Sequence, residues 1–369
     1  MLLLALLPLA APPARADDTN LLFIGNSYTF FNDLDQTTLA LFEAAAPTDT
    51  DFALRLAGGG YTFPMHLAEA DGTNGETPWS DALVTGTTDW DWVLLQDQSQ
   101  IPGFPADNSD YLASVAALGG LDALVAGKNG QSVLLMTWGR LHGDANNPDR
   151  YPDYPTMQDL LATGYSQYAA SITTTSRTAW IAPAGLAWRH IYDAQVAAGA
   201  DPLAPGNLFY SLYFDDGSHP SALGTYLTAC VIYATITGQD PTGLPAPDTV
   251  PAAVVPELQD ACAATVFHET PDIAYPWQEA QDTGSTDTGP TDTGSPDTGS
   301  PDTSVDSGVD TSPPTDSSPK DSSAPDDTGG TVKTGCGCAT DAGPGSPWIG
   351  VAAVFALAAQ RRRERPTRP

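Results

Sequence analysis

LLFIGNSYTF, residues 21–30, is the stretch on which the reading of this chain turns. Its first four residues, Leu21 to Ile24, form an apolar run without polar alternation, as in a strand covered on both faces. Gly25 permits a sharp turn that a side chain would obstruct. Ser27 then stands at the carboxyl edge of the sheet, near the start of the next helical segment. A serine hydroxyl is a weak nucleophile until a base takes its proton. Taken alone, Gly25-Asn26-Ser27 reads more readily as the turn and helix cap that follow many strands.

Working outward, residues 52–56, 92–95, 132–137 and 179–182 repeat the same kind of apolar run. The stretches between them carry helix patterns; Leu34, Leu41, Phe42 and Ala45, for example, fall on one helical face. Strand and helix in alternation predict an α/β fold, three layers deep, with a central parallel sheet of about five strands between helices. Ligand sites in such sheets lie beyond the carboxyl ends of the strands.

A second chemistry-bearing segment lies far downstream, in YFDDGSHPSA, residues 213–222. His219 precedes Pro220 and an apolar helix predicted from about residue 222 to 236. Because proline suits a first helical position, His219 is expected at the mouth of that helix and not on a packed face. Asp216 stands three residues earlier, with Gly217 and Ser218 letting the loop curl. Its carboxylate can steady one imidazole nitrogen while the other takes the serine proton. Asp215 is the rival carboxylate, at a spacing that suits the turn less well.

Together these blocks resemble the SGNH (GDSL-like) hydrolases. The nucleophile block of that family is matched by Gly25-Asn26-Ser27, and its final Asp-x-x-His block by Asp216-Gly217-Ser218-His219. The resemblance implies a flavodoxin-like three-layer fold and a carboxylic-ester hydrolase working through Ser27, His219 and Asp216. The family's oxyanion-hole glycine is matched best by Gly60 in Ala57-Gly58-Gly59-Gly60-Tyr61-Thr62, with the Ser27 amide as a second donor. Only glycine lets a backbone amide approach the oxyanion without a side chain intervening. The family's third block, Gly-x-Asn-Asp, is replaced here by WVLLQDQSQI, residues 92–101. No asparagine is available, so a glutamine carboxamide is expected to donate instead, Gln98 first and Gln100 second. The resemblance spans nearly all of 20–240, and MTWG at 136–139 and IAPAGLAW at 181–188 echo it further.

Composition bounds the substrate. The 369 residues carry 14 basic against 45 acidic side chains, a formal charge of -31. So acidic a chain repels nucleic acid and anionic surfaces and leaves neutral esters open. Acetyl esters of carbohydrate are one class, for which Tyr28, Trp138 and Trp188 are the expected aromatic platforms; lipid or simple acyl esters are another. A catalytically silent glycan-binding surface protein is the reading from a different class. The loop 139–157, with His142, Asp144, Tyr151 and Tyr154, is expected either as a substrate wall or as a plain surface loop. His66, His142, His190 and His268 lack the paired spacing of metal ligands, so no metal or other cofactor is expected.

The ends carry their own signals. MLLLALLPLAAPPARA, residues 1–16, reads as a secretory signal cleaved before Asp17; its missing basic n-region is expected if translation starts further upstream. The hydrolase domain is then expected over 17–280. Residues 281–335 form a stalk, opening on aspartates five apart (Asp282, Asp287, Asp292, Asp297, Asp302) and continuing in Ser, Pro, Thr and Asp. With almost no large apolar side chains it cannot offset the entropy of ordering. In the tail 336–369, Cys336 and Cys338 precede a short apolar span to Ala359 and then Arg361, Arg362, Arg363 and Arg365. That order resembles the myxobacterial sorting tail MYXO-CTERM. It implies export, cleavage by a sorting peptidase and anchoring at the bacterial cell surface, with the span in the membrane before processing. Cys230 and Cys262 are left as either a disulfide or two buried thiols.

Overall fold

In the computed structural model, which describes residues 18–278, the predicted alternation closes into a three-layer α/β/α sandwich. The expected leader, stalk and tail, with Cys336 and Cys338, lie outside the described residues. In chain order the elements are β1 (Asn20–Gly25), α1 (Ser27–Phe30), α2 (Leu34–Ala45), β2 (Phe52–Ala57), α3 (Phe63–Ala70), α4 (Pro78–Ser80), β3 (Trp92–Leu95) and α5 (Ser109–Gly127). They continue as β4 (Gln131–Leu135), α6 (Tyr154–Ile172), β5 (Trp180–Ala182), α7 (Ala184–Ala197), α8 (Leu208–Ser211), α9 (Ala222–Thr237) and α10 (Val255–Ala264). The five strands are all parallel in the order β2-β1-β3-β4-β5. β1 is thus interior, and its carboxyl end opens between the ends of β2 and β3.

The unbroken apolar strands have a direct cause. Leu21 and Phe23 of β1 face one core with α2, α7, α9 and α10, while Leu22 and Ile24 face another with α3, α5 and α6. Alternate residues of β3, β4 and β5 divide in the same way, so both faces of the sheet must be apolar. α9 is buried at every position from Gly224 to Ile236, which explains its lack of a polar face.

Two expectations are adjusted and one open alternative is resolved. Ala45 is exposed at the end of α2, though Leu34, Leu41 and Phe42 are buried. Pro220 is not the first helical residue. Ser221 caps α9, its hydroxyl accepting the amides of Leu223 and Gly224, and a hydroxyl cap outcompetes a proline two positions ahead of the helix. Of the two alternatives left for Cys230 and Cys262, the structure has two free thiols, carried by α9 and α10 into the core, and burial pushes Cys230 up to about 12.

Candidate active site

Ser27 is presented by the turn that ends β1. Asn26 caps α1, its side-chain oxygen accepting the Tyr28 amide at 3.1 Å. A Cβ on Gly25 would lie 2.2 Å from Thr29 Oγ1 and 2.7 Å from Gln96 Oε1, so this position demands glycine. Buried Gln96 is the reason: its Oε1 accepts both the Asn26 amide and the Thr29 hydroxyl, each at 2.9 Å. The Asn26 carboxamide reaches outward to the carbonyls of Tyr61 (3.1 Å) and Asp97 (3.2 Å), tying the loops after β2 and β3 to the Ser27 turn.

Asp97 is fully buried and makes the second tie. One carboxylate oxygen accepts the amides of Phe63 (2.9 Å) and Gln98 (2.8 Å); the other accepts the Tyr168 hydroxyl at 3.0 Å. Burial drives the carboxyl up to about 6, against the pull of these donors and Ser114. His66, equally buried, accepts the Trp79 indole N–H on Nδ1 and so carries its proton on Nε2. Burial lowers it to about 3, opposed by the Gly25 carbonyl.

The Asp216–His219 turn comes from the opposite side. Gly217 sits at φ +66°, and its carbonyl accepts the Leu141 amide at 2.8 Å. Asp216 Oδ1 accepts the amides of Ser218 and His219, each at 2.9 Å, while Oδ2 holds His219 Nδ1 at 2.5 Å. His219 Nε2 lies 2.7 Å from Ser27 Oγ. Residues 192 positions apart in the chain therefore share one hydrogen bond. Partial burial works to raise the Asp216 carboxyl, but the bonds from the His219 ring and the two amides outweigh it and hold it below the usual range. Asp215 is exposed and outside this arrangement.

Ser218, read from the sequence only as letting the loop curl, and Phe31, not singled out there, fix the turn. Ser218 shares a 2.7 Å hydrogen bond with the Tyr28 hydroxyl, and its carbonyl accepts the Trp138 indole N–H at 3.1 Å. Tyr28 stacks on Trp138 at 4.9 Å, and Trp138 on Trp188 at 4.2 Å. These rings were expected as sugar platforms. At 3 %, 0 % and 0 % exposure they are instead a buried pillar under the turn. Phe31 lies flat against His219, ring centres 4.2 Å apart.

The expected oxyanion donors gather nearby. Gly60 adopts φ +70° in a turn closed by the Tyr61 amide and Gly58 carbonyl, with open space where a Cβ would stand. The Gly58 amide bonds the Gly25 carbonyl, and the Tyr61 carbonyl holds Asn26, so the turn is fastened beside Ser27. The two glutamines interlock: Gln98 donates to Gln100 Oε1 at 2.9 Å and accepts the Gln100 amide at 2.8 Å. The Gln100 carboxamide is turned to Asp144. Gln96 and Asp97, two positions and one position before Gln98, were not anticipated. Their signal was two polar residues directly after a fully buried strand.

The 139–157 loop does border the turn. Arg140, His142, Asp144, Tyr151, Asp216 and Ser218 line a recess of about 340 Å³. Tyr154 is a correction: it opens α6 and packs in the core against Phe209. Among the described residues, no cluster of three or more His, Cys, Asp or Glu is arranged to hold a metal ion.

No family model and no curated protein matches the sequence. Solved structures do. A DUF4886 family protein from Bacteroides uniformis superposes with a TM-score of 0.52 at 17% identity, over 71% of this chain and 99% of that one. A protein assigned as an SGNH hydrolase from Slackia heliotrinireducens gives 0.42 at 23% identity, over 60% and 100% of the two chains. A GDSL-like lipase from Bacteroides thetaiotaomicron gives 0.34 at 14% identity, over 58% and 85%. At such identities the likeness is one of fold, and function has to be argued from the site itself.

Proposed function

We propose that the protein is a serine esterase of the SGNH type, hydrolysing carboxylic esters through an acyl-enzyme on Ser27. The observation that carries this reading is the 2.7 Å contact of Ser27 Oγ with His219 Nε2, whose other ring nitrogen is held by Asp216. With Nδ1–H donated to the carboxylate, Nε2 is the basic nitrogen and accepts the serine proton as Oγ attacks the ester carbonyl. The carbonyl oxygen becomes an oxyanion, received by the amides of Ser27 and Gly60 and by a glutamine carboxamide, Gln98 first and Gln100 second, each of which keeps one N–H beyond its bond to Gln100 Oε1 or to Asp144. Each such donor is typically worth about 10²–10³ in rate. His219 then protonates the leaving alcohol, and water, deprotonated in turn, releases the acid and regenerates Ser27.

The setting belongs to the same proposal. The leader at 1–16, the acidic stalk at 281–335 and the Cys–apolar–Arg tail support export and tethering at the cell surface, where esterified glycans and lipids are the available polymers. Hydrolysis of an aryl acetate by the full chain, beside Ser27→Ala, tests the chemistry. The expected loss is at least about 10³-fold. Equal rates would remove the esterase reading and leave a non-catalytic surface protein. A series of acyl chain lengths then separates an acetyl from a lipolytic enzyme.

A further inference from the structure

The imidazole of His219 is flanked by aromatic surface that the chemistry above does not use. Phe31 stacks on it at 4.2 Å with the rings 16° apart. Phe214 meets Phe31 edge-on at 5.8 Å and is 50 % exposed, and Phe30 stacks on Phe31 at 5.8 Å. Phe30 and Phe31 are half-buried. Phe31 follows directly from the helical turn that carries Ser27, and Phe214 stands two residues before Asp216. Both catalytic segments therefore contribute to one shelf. A large phenylalanine left half in water on a functional turn forgoes part of the stabilisation that burial brings, and a ligand covering it would recover that part.

The position of the shelf sets what it touches. During acylation His219 Nε2 hands its proton to the oxygen of the departing alcohol, so that alcohol must lie on the histidine side of the carbonyl carbon, away from the oxyanion donors. The buried Tyr28–Trp138–Trp188 pillar occupies the inner side of the turn. Phe31 and Phe214 are the aromatic surface left for the alcohol to rest on. Resting on the esterase reading, we propose that this shelf is the alcohol subsite, and that it selects esters whose alcohol carries a flat ring with an apolar face. Aromatic alcohols and the C–H face of a sugar share that chemistry.

By reversibility the shelf also receives alcohols as acceptors. The alcohol oxygen attacks the acyl carbon on Ser27 while its proton passes to His219 Nε2. The bond from that carbon to Ser27 Oγ then breaks, Oγ takes the proton back, and a new ester leaves.

The test uses the full chain and three acetates with primary-alcohol leaving groups: ethyl acetate, benzyl acetate, and a glucoside acetylated on its primary hydroxyl. The wild type is expected to prefer one or both ring esters. Phe214→Ala is expected to lower kcat/KM for the preferred ring ester about fivefold more than for ethyl acetate. The ratio for ethyl butyrate over ethyl acetate, which probes the acyl side, is expected to hold. The benzyl and glucoside arms tell an aromatic from a sugar alcohol. Partition of the acetyl group between water and added benzyl alcohol or methyl glucoside gives a ratio independent of the fraction folded, and it should shift toward water in Phe214→Ala. A variant that changes every acetate equally, or whose effect follows acyl length, overturns the proposal. Failure of the wild type to hydrolyse any ester would instead sink the esterase reading.

Discussion

The two halves of the site are built in opposite ways. The nucleophile half, Gly25 to Tyr28 with Gln96, Asp97 and His66, is a largely buried polar lattice at the carboxyl edge of the sheet, where donors answer loop carbonyls, the Asp97 carboxylate and the Asn26 and Gln96 carboxamide oxygens. The acid–base half is a surface turn, its Asp216 side chain 43% exposed. It is steadied from beneath by neutral contacts: one hydroxyl pair, one indole N–H and a stack of rings. The nucleophile side should therefore be intolerant of shape changes and sensitive to pH, because buried titratable groups cost free energy to charge. The turn should tolerate more and show little of that dependence.

A pair of glycine substitutions gives the largest contrast. Gly25→Ala drives a methyl into Thr29 and Gln96. We expect a loss of about 3 kcal/mol in chemical denaturation and at least about 10²-fold in aryl acetate hydrolysis. Gly217→Ala meets nothing closer than Leu141 Cβ at 3.3 Å and suffers mainly from its φ of +66°, a cost of about 1–2 kcal/mol. Equal effects at the two positions would erase the distinction.

The buried titratable groups come next, and their signs oppose. Asp97 titrates at about 6 in the fold, above the unfolded carboxylate near 3.9. Its charge therefore costs stability above pH 6, on the order of 3 kcal/mol, and the cost disappears as pH falls toward 4. Asp97→Asn should stabilise the protein relative to wild type more at pH 8 than at pH 4.5, read as the gap between melting temperatures. A gap that is flat or reversed would contradict this. His66 stays neutral down to about 3 in the fold, whereas the unfolded side chain takes a proton near 6.5. It therefore costs stability as pH drops below 6.5, reaching on the order of 3 kcal/mol at pH 4. His66→Gln should lessen the acid sensitivity between pH 6.5 and 4 in the same melting experiment; unchanged sensitivity would argue against it.

The smallest effect belongs to a support of the turn. Ser218→Ala deletes the hydrogen bond to Tyr28 while keeping the pillar. It should cost about 1 kcal/mol and lower kcat a few-fold with KM nearly constant, equally at pH 6 and pH 8. A large rise in KM would mean that this hydroxyl touches substrate.

The same contrast governs what the sequence disclosed. Strand runs such as 92–95 were legible because burial on both faces leaves an unmistakable apolar signature. Ser27, Asp216 and His219 were legible because glycine-bearing turns mark the places where side chains leave the sheet. Tyr28, Trp138 and Trp188 were misplaced because an aromatic residue in the segment that follows a strand looks the same whether it meets solvent or another ring. Gln96 and Asp97 were passed over because polar residues after a strand ordinarily read as loop. Only the approach of the β1 and β2 loops reveals that both are buried. Pro220 misled for a local reason, since Ser221 competes for the cap.

Every step proposed for the site requires Ser27 to be the nucleophile that His219 activates. Treating the full chain with an alkyl fluorophosphonate and locating the adduct by peptide mass tests this most directly. One adduct on Ser27 is expected, absent from Ser27→Ala and formed at least about 10²-fold more slowly in His219→Ala. Labelling that survives in Ser27→Ala, or that proceeds as fast without the imidazole, would contradict it.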